Sequence, residues 1–166
     1  MARAPRVLVT GAARAIGLAT VQTLVNRGHS VIATARDISP LASLDGVEAH
    51  VLDVTSDASV AQCLAGVGPL DAIVNNAAMA GGGPLDGYPL ERFRQMFETN
   101  ALGALRLIQA VLPAWRERSS GVIVNVSSVN GQVPRRSKER TALRNSRSKP
   151  LRSLCTTKCA TSASAA

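Results

Sequence analysis

Five short aliphatic runs, each followed by a segment long enough for a helix or by a Gly- or Ser-bearing turn, set the strongest limit on what this chain can fold into. They are RVLVT (Arg6 to Thr10), SVIATA (Ser30 to Ala35), VEAHVLDV (Val47 to Val54), DAIVNN (Asp71 to Asn76) and GVIVNVSS (Gly121 to Ser128). The core these runs supply is aliphatic and rich in Ala, as suits a parallel sheet covered by helices. Between them lie IGLATVQTLVNRG, with apolar residues at helical spacing and Gly28 as a stop, and ASVAQCLAG, for which Asp57 can serve as a cap. A glycine-rich loop, AAMAGGGP, then leads into a long helix from about Pro89 to Arg118. Strands joined by segments of this length form right-handed βαβ units and a parallel sheet. The expected fold class is α/β, a Rossmann-like doubly wound parallel sheet truncated after the fifth strand, since a complete dinucleotide fold has six strands in two halves.

The pattern ends at Pro134. Residues 1–133 hold ten Arg, no Lys and ten acids, so the whole formal charge of +8 belongs to residues 134–166. Two domains of unlike character are therefore expected: residues 1–133 as a dinucleotide-binding Rossmann-like domain, and residues 134–166 as a basic, disordered tail. A nucleic-acid arm is the weaker reading of that tail, because it has no aromatic residue on which a base could stack. Cys63, Cys155 and Cys159 have neither disulfide-framework nor zinc-site spacing, and His29 and His50 stand alone. The N-terminus enters a strand without a signal-peptide pattern, and Arg106 and Pro113 interrupt the longest apolar stretch. A soluble cytoplasmic protein with no membrane partner and no specific nucleic-acid partner is the expectation.

Chemistry concentrates where the runs end. TGAARAIG (Thr10 to Gly17) joins the first strand to the first helix, where backbone N–H groups and a helix N-terminus can hold a pyrophosphate. LDV (Leu52 to Val54), NNAA (Asn75 to Ala78) and NVSS (Asn125 to Ser128) close the third, fourth and fifth runs. Singly, each could be turn chemistry. Together they line the carboxyl edge of one sheet, where an open α/β sheet builds its crevice.

In this order the segments resemble the short-chain dehydrogenases/reductases. TGAARAIG is similar to that family's TGxxxGxG loop, NNAA to its NNAG motif, NALGAL (Asn100 to Leu105) to the helix bearing its active-site Asn, and GVIVNVSSVNG to the strand ending in its catalytic Ser. The resemblance covers about four fifths of the chain. It implies a nicotinamide cofactor bound at Thr10, Gly11, Arg14, Ile16, Gly17, Arg36, Asp53, Val54, Asn75 and Ala77, with Asp53 facing the adenine. It implies that Ser128 hydrogen-bonds the oxygen of a carbonyl or alcohol substrate, while Asn100 holds a water of the proton relay. NADP is the expected cofactor and NAD the alternative: Arg36 stands where the family's NADP users carry an Arg for the 2′-phosphate, Ala35 replaces the acid of NAD users, and Arg14 can assist. A family-type homo-oligomer, weakened by truncation, is the expected assembly.

Two positions depart from the family. Ala15 replaces the middle glycine of the loop, crowding the backbone's approach to the phosphates. The family's Tyr and Lys, four residues apart, would fall at Thr141 and Asn145, and the single tyrosine of the chain is Tyr88. A threonine hydroxyl lacks a pKa within reach of proton transfer near neutrality. The alternative to an oxidoreductase is therefore a cofactor-binding fragment that does not turn over. One lost base near Pro134 would account for the whole change of character. Arg140 to Asn145 can be written CGT ACT GCG CTT CGA AAT, and from the third base these letters read Tyr-Cys-Ala-Ser-Lys.

Overall fold

The computed structural model describes residues 3–82 and 85–128. The expected tail, with Thr141, Asn145, Cys155 and Cys159, lies outside the described residues.

The five aliphatic runs form five parallel strands: β1 (Arg6–Thr10), β2 (Ser30–Ala35), β3 (Val47–Val51), β4 (Ala72–Asn75) and β5 (Val122–Asn125), in the order β3-β2-β1-β4-β5. Because side chains alternate along a strand, the register fixes which residues share a face. Ile32, Leu8, Ile73 and Ile123 stand opposite one another across β2, β1, β4 and β5. This row faces one core with Val60, Cys63 and Val67 of α2 (Asp57–Val67) and Leu107, Val111 and Trp115 of α4 (Gly103–Glu117). Val7, Val9, Val31, Ala33 and Val74 face the other way and meet Val21 of α1 (Ala15–Asn26). Helices therefore cover both faces, and the sheet is doubly wound.

Two local expectations are corrected. Asp57 is the first helical residue of α2, not its cap: the Ser56 hydroxyl takes that role and accepts the Ser59 N–H at 3.2 Å. The serine oxygen at the cap position reaches the free amide three residues on, within the first turn, and Asp57 instead places its charge in that turn, where the helix dipole favours it. The long helix is also not continuous. It comprises α3 (Leu90–Phe97), a π-helical turn over Glu98–Leu102, and α4. Such a turn adds a residue to the helical repeat and shifts the faces on either side of it. After the shift Gly103, Leu107, Val111 and Trp115 are buried at four-residue spacing, whereas α3 buries no residue.

Trp115 is anchored at the opposite end of the sheet from the motif edge. Its indole N–H donates to the Leu70 carbonyl at 2.8 Å, and Arg118 donates to the same oxygen while its guanidinium lies 5.9 Å from the centre of the Trp115 ring. Among the described residues no helix is long and apolar enough to cross a membrane, and no cluster of acids, His and Cys could hold a metal ion.

Candidate cofactor crevice

The strand order reverses direction between β1 and β4, so connections leave to opposite sides there and a crevice opens beyond their carboxyl ends. Thr10 closes β1 at this point. Its buried hydroxyl donates to the Val74 carbonyl at 3.3 Å and accepts the N–H groups of Asn76 at 3.0 Å and Ala77 at 2.9 Å. The Asn76 amide reaches back to the carbonyls of Thr10 at 2.9 Å and Gly11 at 3.1 Å. One hydroxyl and one amide thus fasten the glycine turn to the end of β4.

The turn needs its glycines for space and for backbone conformation. Gly11 has φ +63°, and a Cβ on Gly17 would fall against the Gly11 carbonyl oxygen and the Asn76 amide nitrogen. Ala15 keeps a left-handed backbone as well, at φ +48°. The departure from the family's glycine is therefore borne as backbone strain, which costs about 1–2 kcal/mol for a residue with a Cβ. The chain retains the loop shape and accepts the strain. Arg14 caps α1 with no side-chain hydrogen bond, and the first turn of α1 holds no acid. Arg14, Ala15 and Ile16 are exposed. This helix start is open and electropositive, the condition under which a phosphate is held by backbone N–H groups.

The rim of the crevice comes from the next strand ends. Arg36 follows β2 and is exposed. Asp53 lies two residues past β3, where its Oδ1 accepts the Thr55 N–H at 2.9 Å and the Thr55 hydroxyl at 2.7 Å. Those two bonds, the backbone one foremost, hold the Asp53 carboxyl below its ordinary pKa, and the fields of Arg36 and Arg106 act in the same direction against partial desolvation. Val54 is buried beside it. Asn75 is buried at the end of β4 and donates to Asn125 Oδ1 at 2.9 Å, which ties the ends of β4 and β5 together. Ala77 follows on the same edge.

Asn100 lies within the π-helical turn and exchanges two hydrogen bonds with the backbone of Met79. Its Oδ1 accepts the Met79 N–H at 2.7 Å, and its Nδ2 donates to the Met79 carbonyl at 3.0 Å. The side chain works as a clamp on the loop after β4. Ser128 lies three residues past the end of β5 and is exposed. Tyr88 donates its hydroxyl to Met96 Sδ at 3.2 Å.

The structure thus gathers Thr10, Gly11, Gly17, Asn75 and Ala77 at the β1/β4 reversal, and puts Asp53 and Val54 on the neighbouring rim. Thr55 and Arg106 received no role from the sequence, and Asn76 none as the fastening of the glycine turn. Asn76 lay inside a quoted motif and could have been found there. Thr55 carried the signal of a hydroxyl two residues after an Asp. Arg106 carried none, because Asp57 lies 49 residues away in sequence.

A profile of the short chain dehydrogenase family matches residues 5–139. The chain belongs to this family. Human retinol dehydrogenase 8 is 41% identical over 145 residues, a match that covers 79% of this chain and 47% of that protein. The crystal structure of a short-chain dehydrogenase from Streptomyces avermitilis superimposes with a TM-score of 0.73 at 38% identity, over 79% of this chain and 52% of that one. The closed form of a serine dehydrogenase complexed with NADP+ superimposes with a TM-score of 0.73 at 34% identity, over 78% and 56%. The chain spans about half the length of the relatives it matches.

Proposed function

We propose that residues 1–133 form an NADP(H)-binding unit of a short-chain oxidoreductase. The observation that carries this reading is the open start of α1, uncapped by any side chain and free of acids, facing the crevice at the strand reversal. Gly11, Ile16 and Gly17 receive the pyrophosphate there, with Thr10 holding the turn in place. Arg36 and Arg14 take the ribose 2′-phosphate, a task for which a planar guanidinium with several donors is suited. Asp53 and Val54 border the adenine, and Asn75 and Ala77 line the path toward Ser128. The nicotinamide ring, when bound, supplies or accepts the hydride for a carbonyl or secondary alcohol. Ser128 hydrogen-bonds the substrate oxygen, and Asn100 acts by fixing the loop at Met79.

The second reading is binding without turnover. It rests on the single tyrosine, Tyr88, whose hydroxyl is directed to a methionine sulfur. Calorimetric titration of the 166-residue chain with NADPH and NADH tests the first reading, and NADPH is expected to bind at least about tenfold tighter, as the loss of a charge-assisted phosphate contact implies. Arg36→Ala should bring the two affinities together. Equal affinities in the unmodified chain, or no binding of either cofactor, would overturn it. Carbonyl-dependent oxidation of NADPH by the same preparation separates an oxidoreductase from a binding fragment.

A further inference from the structure

One guanidinium outside every glycine, NNAA and Ser motif ties three elements together. Arg106, in the first turn of α4, donates through Nε to Asp57 Oδ1 at 2.6 Å and pairs through Nη2 with Glu98 Oε1 at 2.5 Å. Its Nη1 reaches toward the Val54 carbonyl at 3.5 Å. These three acceptors belong to three elements: the start of α2, the π-helical turn, and the turn that follows β3. Glu98 lies two residues before Asn100 in the π-helical turn, and Val54 follows Asp53.

Packing brings the same elements into register. A Cβ on Gly103 would meet the Val54 side chain and lie 3.2 Å from the Val54 carbonyl oxygen, so the start of α4 rests directly on the β3–α2 turn. The ion pairs do not amount to a large stability contribution. The Asp57 side chain is 86% exposed and the Arg106 side chain 23%, and pairs so open to water contribute little. Their value lies in direction, because a planar fork fixes the angles of several acceptors at once.

We propose that Arg106 is a positioning residue that couples the Asp53–Val54 turn to the Asn100–Met79 clamp, so that the adenine and nicotinamide ends of the crevice hold their spacing as one unit. The assignment of those ends rests on the NADP(H)-binding reading above. The coupling itself does not, and it can be read without cofactor. The Met79 N–H reports the clamp through its bond to Asn100, and the Thr55 N–H reports the turn through its bond to Asp53.

Residue-resolved amide hydrogen exchange on the 166-residue chain is the test. Arg106→Ala should speed exchange at both Met79 and Thr55 roughly fivefold, with the amides of Val9 and Ile32 in the sheet unchanged. Glu98→Ala removes only the π-turn partner and should speed Met79 while sparing Thr55. Arg106→Lys keeps the charge but presents a single ammonium, and should give intermediate exchange at Met79. Unchanged protection of Met79 in both alanine variants would overturn the proposal. So would a uniform rise that includes Val9 and Ile32, which would mark a general loss of stability. NADPH titration of the same proteins is expected to show roughly fivefold weaker binding for Arg106→Ala. Absence of binding by the unmodified chain would sink the NADP(H) reading alone, since the exchange pattern decides the coupling independently.

Discussion

Strands β1 and β5 have similar sequences and different surroundings. In β1, Leu8 is fully buried toward α2 and α4, and Val7 and Val9 are buried toward α1. In β5, Ile123 packs on the α2/α4 side, yet Val122 is 49% exposed and Val124 is 44% exposed on the side of α1. The cause is position in the sheet. Helix α1 covers the β1–β2 region of its face, and among the described residues nothing covers the β5 end of that face. An aliphatic run specifies a strand that can be buried on both sides, but the cover has to come from another part of the chain.

Paired truncations give the largest test of this contrast. Leu8→Ala should cost about 3 kcal/mol in urea unfolding. Val124→Ala should cost less than about 1 kcal/mol, as for a site in contact with water. Equal costs would mean that the α1 side of β5 is covered. Next in size is Gly17→Ala, whose methyl group meets a backbone carbonyl and the Asn76 amide; it should cost about 2 kcal/mol by the same measurement. Ala15→Gly acts on the same loop in the opposite sense. Relief of the left-handed backbone should raise stability by about 1 kcal/mol, with tighter NADPH binding by calorimetry.

Val124→Lys should change unfolding free energy by no more than about 0.5 kcal/mol while raising the concentration at which the protein stays clear by light scattering, because a charge on an exposed edge strand discourages pairing between chains. The smallest effect is expected in acid. Thr55 holds the Asp53 carboxyl below its ordinary value of 3.8, so the linked stability is present above that pH and is lost as pH falls through the lowered value. Thr55→Val removes the hydroxyl donor and keeps the N–H. The fall in urea midpoint below about pH 4 should become shallower.

Much of the fold was legible because the strands are short runs rich in Val, Ile, Leu and Ala and the helices show their period. The second strand was read from Ser30 to Ala35, the span it occupies. The carboxyl-edge motifs were legible because glycine, Asn and Ser at the ends of strands have few other uses in combination. The π-helical turn was not, since its apolar residues fit a continuous helix and only the buried series from Gly103 to Trp115 reveals the shift. Nor was the Asn100 clamp, because Met79 lies 21 residues away and contributes only backbone. Contacts made to backbone leave no trace in residue type.

The Thr10 hydroxyl has a consequence for the order of folding. Its three hydrogen bonds link residues 64 to 67 positions apart, and they form only after β1 has met β4 across everything between them. Closing so long a loop is entropically little harder than closing a moderately long one, but contacts of this separation come late and slow the search. The floor of the crevice is therefore assembled in the same step that joins the two halves of the sheet. A cofactor of the kind proposed above would therefore meet its loop only on a chain whose sheet is already joined.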